Sequence, residues 1–138
     1  MRNHSKGLFI SEKDEQKLFK KYMDIQWPEV LWNFDMGGAM LGSYAYAMEM
    51  HRQGNRKGWP DIFVAEAKGE YHGLFIELKK TGTKLYTKKG EPIKGSKDRI
   101  ATQLAVLSHL EKKGYKAIMA FGFDEARKVL EDYMRLGN

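Results

Sequence analysis

The sequence predicts an α/β fold built on a small mixed β-sheet flanked by helices. Segments with apolar residues at helical spacing alternate with short runs of aliphatic and aromatic residues. Glycine and proline punctuate the boundaries between them. The chain has 138 residues, enough for one sizeable core and too few for two, so a single domain spanning 1–138 is expected.

The elements follow in order. Ser11 reads as an N-cap, with Glu12 and Asp14 in the first turn, where the helix dipole favours acids. Leu18, Phe19, Tyr22 and Met23 form an apolar stripe, which predicts a helix from Ser11 to Met23. Glu15 falls on that inward face, and Glu12 lies one turn earlier. Trp27-Pro28 ends the helix, because the residue before proline is pushed out of the α region. Residues 29–34 read as a short strand, and Gly37, Gly38 and Gly42 mark a loop. A Met- and Tyr-rich helix is expected from Ser43 to Gln53; its methionines suit core filling or a partner-facing surface better than metal ligation.

A basic turn, Asn55-Arg56-Lys57-Gly58, precedes two expected strands, Ile62–Ala65 and Leu74–Leu78, with Lys68-Gly69-Glu70 as the turn between them. A basic loop over 80–99 follows, carrying Gly82, Gly90, Pro92 and Gly95. The next helix is expected from about Ser96 to Lys113, with Ile100, Leu104, Leu107 and Leu110 inward and Gly114 at its C-terminal end. Ala117–Phe123 reads as an apolar strand. Asp124 is the expected cap of a last helix carrying Ala126, Val129, Leu130, Tyr133 and Met134.

Composition narrows the function. With 42% hydrophobic and 30% charged residues, the chain is not collagenous or low-complexity. The absence of cysteine excludes thiol catalysis, cysteine zinc ribbons and disulfide stapling, and fits a reducing cytosol. No apolar run reaches the length of a membrane span, and Met1–Lys6 lacks a signal-peptide core, so a cytoplasmic protein is expected. The net charge of +6 is concentrated in one place. Lys79, Lys80, Lys84, Lys88 and Lys89, then Lys94, Lys97 and Arg99, are opposed only by Glu91 and Asp98. That ribbon carries +6 by itself, and the rest of the chain sums to zero. A polyanion is the natural partner, and a solvated loop is the plain alternative.

The hairpin carries the chemistry. If its turn centres on Gly69, residues whose numbers sum to 138 face each other, and Asp61 and Glu77 satisfy that sum. Directly opposed residues have Cβ atoms about 5 Å apart. Lys79, two residues beyond Glu77, points to the same face. Two carboxylates at that distance demand a shared proton or a bridging cation. Oxygen ligands select Mg²⁺ or Mn²⁺, and a backbone carbonyl such as that of Leu78 would complete the set. Such an ion makes hydroxide available near neutral pH, and Lys79 could orient or deprotonate the water or neutralise transition-state charge. The ordinary reading of Glu-x-Lys on a strand is a surface ion pair. Against it stand Pro60-Asp61 on the paired strand, Glu15 as a third acid, and Gln103 on the apolar edge between Ile100 and Leu107. The four histidines show no metal-ligand spacing. Trp59 and Tyr86 could stack on bases, though packing is the commoner role.

Gly54–Asp61, ending Gly58-Trp59-Pro60-Asp61, then Gly73-Leu74-Phe75-Ile76-Glu77-Leu78-Lys79, then Gln103, resembles the VRR-NUC group of the PD-(D/E)xK nuclease superfamily. The resemblance implies a restriction-endonuclease-like core and a divalent-metal-dependent endonuclease acting on DNA phosphodiesters. It implies metal ligands at Asp61 and Glu77, a catalytic Lys79 and a supporting Gln103, with the helix acid at Glu15 or Glu12. It implies in-line attack that leaves 5′-phosphate and 3′-hydroxyl ends. Minimal phage-type members of the group look like homodimers acting on branched DNA such as four-way (Holliday) junctions, which suits a chain this short. Arg56 and Lys57, with Lys80, Lys84, Lys88 and Lys89 and then Lys94, Lys97 and Arg99, are the expected phosphate contacts. Two departures bear on substrate contacts: the Val-Arg-Arg triplet is absent, and Asn33 follows Trp32 where a proline often accompanies asparagine. A non-catalytic DNA-binding module retaining the fold is the alternative, and RNA or a specific duplex sequence is a further substrate class.

Overall fold

A computed structural model describes residues 10–35, 44–91 and 97–137. The expected loop glycines 37, 38 and 42, and Lys94 in the basic ribbon, lie outside the described residues, as does the side chain of Lys97. The order is α1 (Glu12–Gln26), β1 (Trp32–Phe34), α2 (Tyr44–Arg52), β2 (Ile62–Val64), β3 (Leu74–Lys79), α3 (Lys97–Lys112), β4 (Lys116–Phe121) and α4 (Phe123–Met134). The mixed α/β architecture expected from the sequence is present. Among the described residues no helix is long and apolar enough to cross a membrane.

The sheet runs β1-β2-β3-β4. β1, β2 and β3 are antiparallel neighbours, and β4 lies parallel to β3. That parallel step needs a crossover, which α3 supplies. The β2–β3 register pairs Ile62 with Ile76, Phe63 with Phe75 and Val64 with Leu74. Continuing it by one step sets Asp61 against Glu77. Lys68 and Tyr71 exchange two backbone hydrogen bonds of 3.2 and 2.9 Å, which closes the connection around Gly69-Glu70.

Two layers cover the sheet. On one face α1 and α4 bring Phe19, Met23, Ala126, Leu130 and Tyr133 against Ile62, Val64, Leu74, Ile76 and Leu78. On the other face α3 packs Leu107 and Leu110 on Phe75 and Ala117, with Phe63 and Tyr115 alongside. β3 is buried along its whole length. Its odd-numbered residues face α3 and change from Phe75 to Glu77 and Lys79, so one end of this layer is apolar and the other charged.

Several boundaries and faces differ from expectation. α1 continues to Gln26, three residues past Met23, and the Trp27 amide still donates to the Met23 carbonyl at 2.9 Å. β1 begins only at Trp32, because Val30 is held in a turn by the Trp27 carbonyl at 3.1 Å. Leu104 is 40% exposed and does not face inward. The buried stripe of α3 runs through Ile100, Leu107 and Leu110 instead. The last helix starts at Phe123 with Gly122 in the cap position, so Asp124 lies in its first turn and is not its cap. Lys97, Asp98 and Arg99 form the first turn of α3, and the connector after β3 is described over 80–91.

Candidate active site

Asp61 sits at the mouth of β2, where its backbone carbonyl accepts the Asp35 amide at 2.6 Å and its carboxylate accepts the Leu78 amide at 2.9 Å. The second bond crosses to β3 and aims the carboxyl at the rim of the hairpin. Glu77 and Lys79 follow on β3, 4% and 7% exposed. Lys79 Nζ stands 3.7 Å from Glu77 Oε2. The hairpin register therefore brings Asp61, Glu77 and Lys79 together.

Burial pushes Glu77 up to about 9, and the negative charge of Asp61 adds to that while Lys79 opposes it. Asp61 is raised to about 6, again chiefly by burial, with the Leu78 amide and a hydrogen bond to Glu77 pulling back. Around neutral pH the pair holds about one proton between its two carboxyls. Glu12 raises both groups through its charge, so the start of α1 lies within electrostatic reach of the pair.

Glu77 Oε1 and Gln103 Oε1 are buried oxygens with no hydrogen-bond partner among the described residues. Gln103 lies on the α3 stripe that continues through Leu107 and Leu110, which places it over the face carrying Glu77. Leaving such acceptors unpaired costs about 1–3 kcal/mol each. Carboxyl and amide oxygens are hard donors, so the donor set fits Mg²⁺ or Mn²⁺. Among the described residues, no three His, Asp or Glu side chains close up as a preformed cage.

Glu15 is placed elsewhere. Its carboxylate is buried and accepts the Thr81 amide at 2.7 Å, the Thr81 hydroxyl, and the Phe123 amide at 2.9 Å. It ties α1 to the root of the basic connector and caps α4, the task the sequence assigned to Asp124. Sequence reasoning passed over Thr81, for which a lone threonine after a strand offers no signal.

The cations spread along one route. Arg56 and Lys57 are exposed in the turn before β2, Lys80, Lys84, Lys88 and Lys89 on the connector, and Arg99 at the start of α3. Lys80 is the first exposed residue after the buried Lys79, so the connector leaves directly from the site.

No protein-family model matches the chain, and no curated protein matches it. Among solved structures it is similar to a VRR_NUC domain protein, with 25% identity over 94% of this chain and 92% of that chain and a TM-score of 0.69. The likeness supports a VRR-NUC-type fold for this chain. Its mixed four-stranded sheet is consistent with a small nuclease-like core. In this chain Asp61, Glu77 and Lys79 share one rim of the hairpin and Gln103 lies over the same face, while Glu12, not Glu15, is the helix acid whose charge reaches the pair.

Proposed function

We propose that the domain is a divalent-metal-dependent endonuclease that hydrolyses DNA phosphodiesters, selective for branched DNA. One observation carries this reading: the buried Glu77 faces a second carboxyl, that of the part-buried Asp61, reaches Lys79 at 3.7 Å, and yet keeps an oxygen with no partner among the described residues. A purely structural pair would be neutralised and fully hydrogen-bonded, because burying unpaired charge is expensive. Asp61 and Glu77 would hold Mg²⁺ or Mn²⁺, with the Leu78 carbonyl and Glu12 completing the oxygen set. The bound ion would supply Lewis acidity and lower the pKa of a coordinated water.

The chain's own groups do the rest. The Leu78 amide opposes the upward push of burial on Asp61 and aims its carboxyl at the rim. The Lys79 ammonium, fixed by burial beside Glu77, orients the attacking water and offsets charge growing on the phosphoryl oxygens. Gln103 lends an acceptor that positions that water. Arg56, Lys57 and the connector cations hold the phosphates on either side. A homodimer would set two such sites on opposed strands of a four-way junction, since a two-fold axis matches the symmetry of that substrate.

The test is cleavage of a four-way junction, a flap, plain duplex and single strand in Mn²⁺. Lys79→Ala should lower the rate by about 10²–10³-fold, the range for losing one preorganised electrostatic donor. Asp61→Ala should abolish cleavage. Both should keep DNA retention within a few-fold. Undiminished cleavage by purified Lys79→Ala would overturn the assignment, and retention without cleavage by the unaltered protein would favour a binding module.

A further inference from the structure

Beside the acids stands an aromatic residue that hydrolysis does not require. Trp59 lies two positions before Asp61 in the turn that also carries Arg56 and Lys57. Its indole packs edge-on against Phe75, with ring centroids 5.4 Å apart, yet it remains 38% exposed. Phe75 belongs to the face covered by α3, and Glu77 is its next neighbour on that face. Successive same-face residues of a strand are about 7 Å apart. Trp59 therefore borders the apolar end of the layer, one side chain away from the carboxyl pair.

The turn that holds it is rigid. The Trp59 amide donates to the Arg56 carbonyl at 3.3 Å, and Pro60 is fully buried on its other side. Gly58 has φ +81°, and a Cβ there would lie 2.7 Å from the Thr102 methyl on α3. Only glycine lets the turn sit this close to the helix carrying Gln103. The other tryptophans serve different ends: Trp27 donates to the Tyr22 hydroxyl at 2.9 Å, and Trp32 packs on Phe19 across the sheet.

We propose that the exposed face of Trp59 is a stacking platform for an unpaired base of the DNA strand whose phosphate reaches Asp61 and Glu77. This rests on the nuclease reading and sharpens its substrate class to DNA with a nucleotide out of the stack near the point of cleavage. The T-shaped contact with Phe75 anchors the ring, its exposed part is open to a base, and Arg56 and Lys57 attract the backbone on which that base is carried. Base–aromatic stacking is strong and indifferent to sequence. A paired base inside a duplex offers no free face, so the platform discriminates by structure.

The experiment measures binding in EDTA, where no cleavage occurs, to a plain duplex and to the same duplex carrying a short single-stranded gap with 2-aminopurine. Trp59→Leu should weaken gapped-DNA binding about tenfold and leave duplex binding unchanged. Trp59→Phe should retain most of the affinity and of the 2-aminopurine quenching. Equal weakening on both DNAs, or none on either, would overturn the platform and leave the hydrolysis reading standing. Should Trp59→Leu fail to fold, unchanged 2-aminopurine emission on binding the unaltered protein would overturn it equally. Failure of the unaltered protein to bind either DNA would sink both readings.

Discussion

Glu15 and Glu77 are two buried carboxyls in the same small protein, 2% and 4% exposed, and they are treated in opposite ways. Glu15 receives two backbone amides and a hydroxyl, so its desolvation is offset by hydrogen bonds. Glu77 faces another carboxyl, reaches Lys79 only at 3.7 Å, and keeps one oxygen unpartnered. The first arrangement fastens three segments together. The second leaves a buried acceptor unsatisfied. Burial alone therefore does not separate the two acids; hydrogen-bond satisfaction does.

Swapping out each acid should break this symmetry visibly. Glu15→Ala strands the Phe123 and Thr81 amides, and at about 1–3 kcal/mol per buried unsatisfied group the loss should be roughly 2–4 kcal/mol. Urea unfolding would show it as a lower midpoint. Glu77→Gln should leave the metal-free midpoint unchanged or higher while ending cleavage. A loss as large as that of Glu15→Ala would mean that Glu77 is structural too.

A smaller effect concerns pH. Folding raises both carboxyls of the pair, Asp61 from 3.8 to about 6 and Glu77 from 4.5 to about 9. The native state therefore binds more protons than the unfolded chain between those limits. Stability from the pair is full below the ordinary carboxyl values and is lost as pH rises through about 6 and then about 9. Urea midpoints from pH 5 to 9 should fall more for the unaltered protein than for Glu77→Gln. Mn²⁺ requires the ionised carboxyls, so its stabilisation of the fold should grow over the same rise. A Mn²⁺ effect independent of pH would place the ion elsewhere.

The smallest expected change sharpens the contrast most finely. Gln103→Leu removes the other unpartnered oxygen and should shift stability by no more than about 1 kcal/mol, upward if at all. Thermal melts check the stability, and parallel assays should show slower cleavage. A marked destabilisation would reveal a partner for that oxygen.

Much of this was legible in the chain. Ser11 does cap α1, its hydroxyl accepting the Asp14 amide at 3.0 Å. Trp27 ends that helix, as the proline rule requires. The sum to 138 matched the β2–β3 register, although the turn pair Lys68–Tyr71 sums to 139, so the pairing shifts by one residue between turn and strands. Leu104 and Asp124 misled for the same reason: helical phase and cap propensity are local, and a neighbouring element can override both. The Leu107 face was the one α3 buried, and Glu15, remote in sequence, took the amide that Asp124 was expected to satisfy. The choice between Glu12 and Glu15 was undecidable from the chain, since both lie near the same end of one helix.

What the amino-acid order determined by itself was everything that depends on period and register: the elements, the hairpin pairing, the single charged ribbon, and the alignment of Asp61, Glu77 and Lys79. These rest on spacing along one chain. The tertiary structure alone decided which buried carboxyl is satisfied and which is not, because hydrogen-bond partners such as Thr81 and Phe123 arrive from elements far away in sequence. Desolvation and partnership are properties of a packed environment, and no local pattern encodes them.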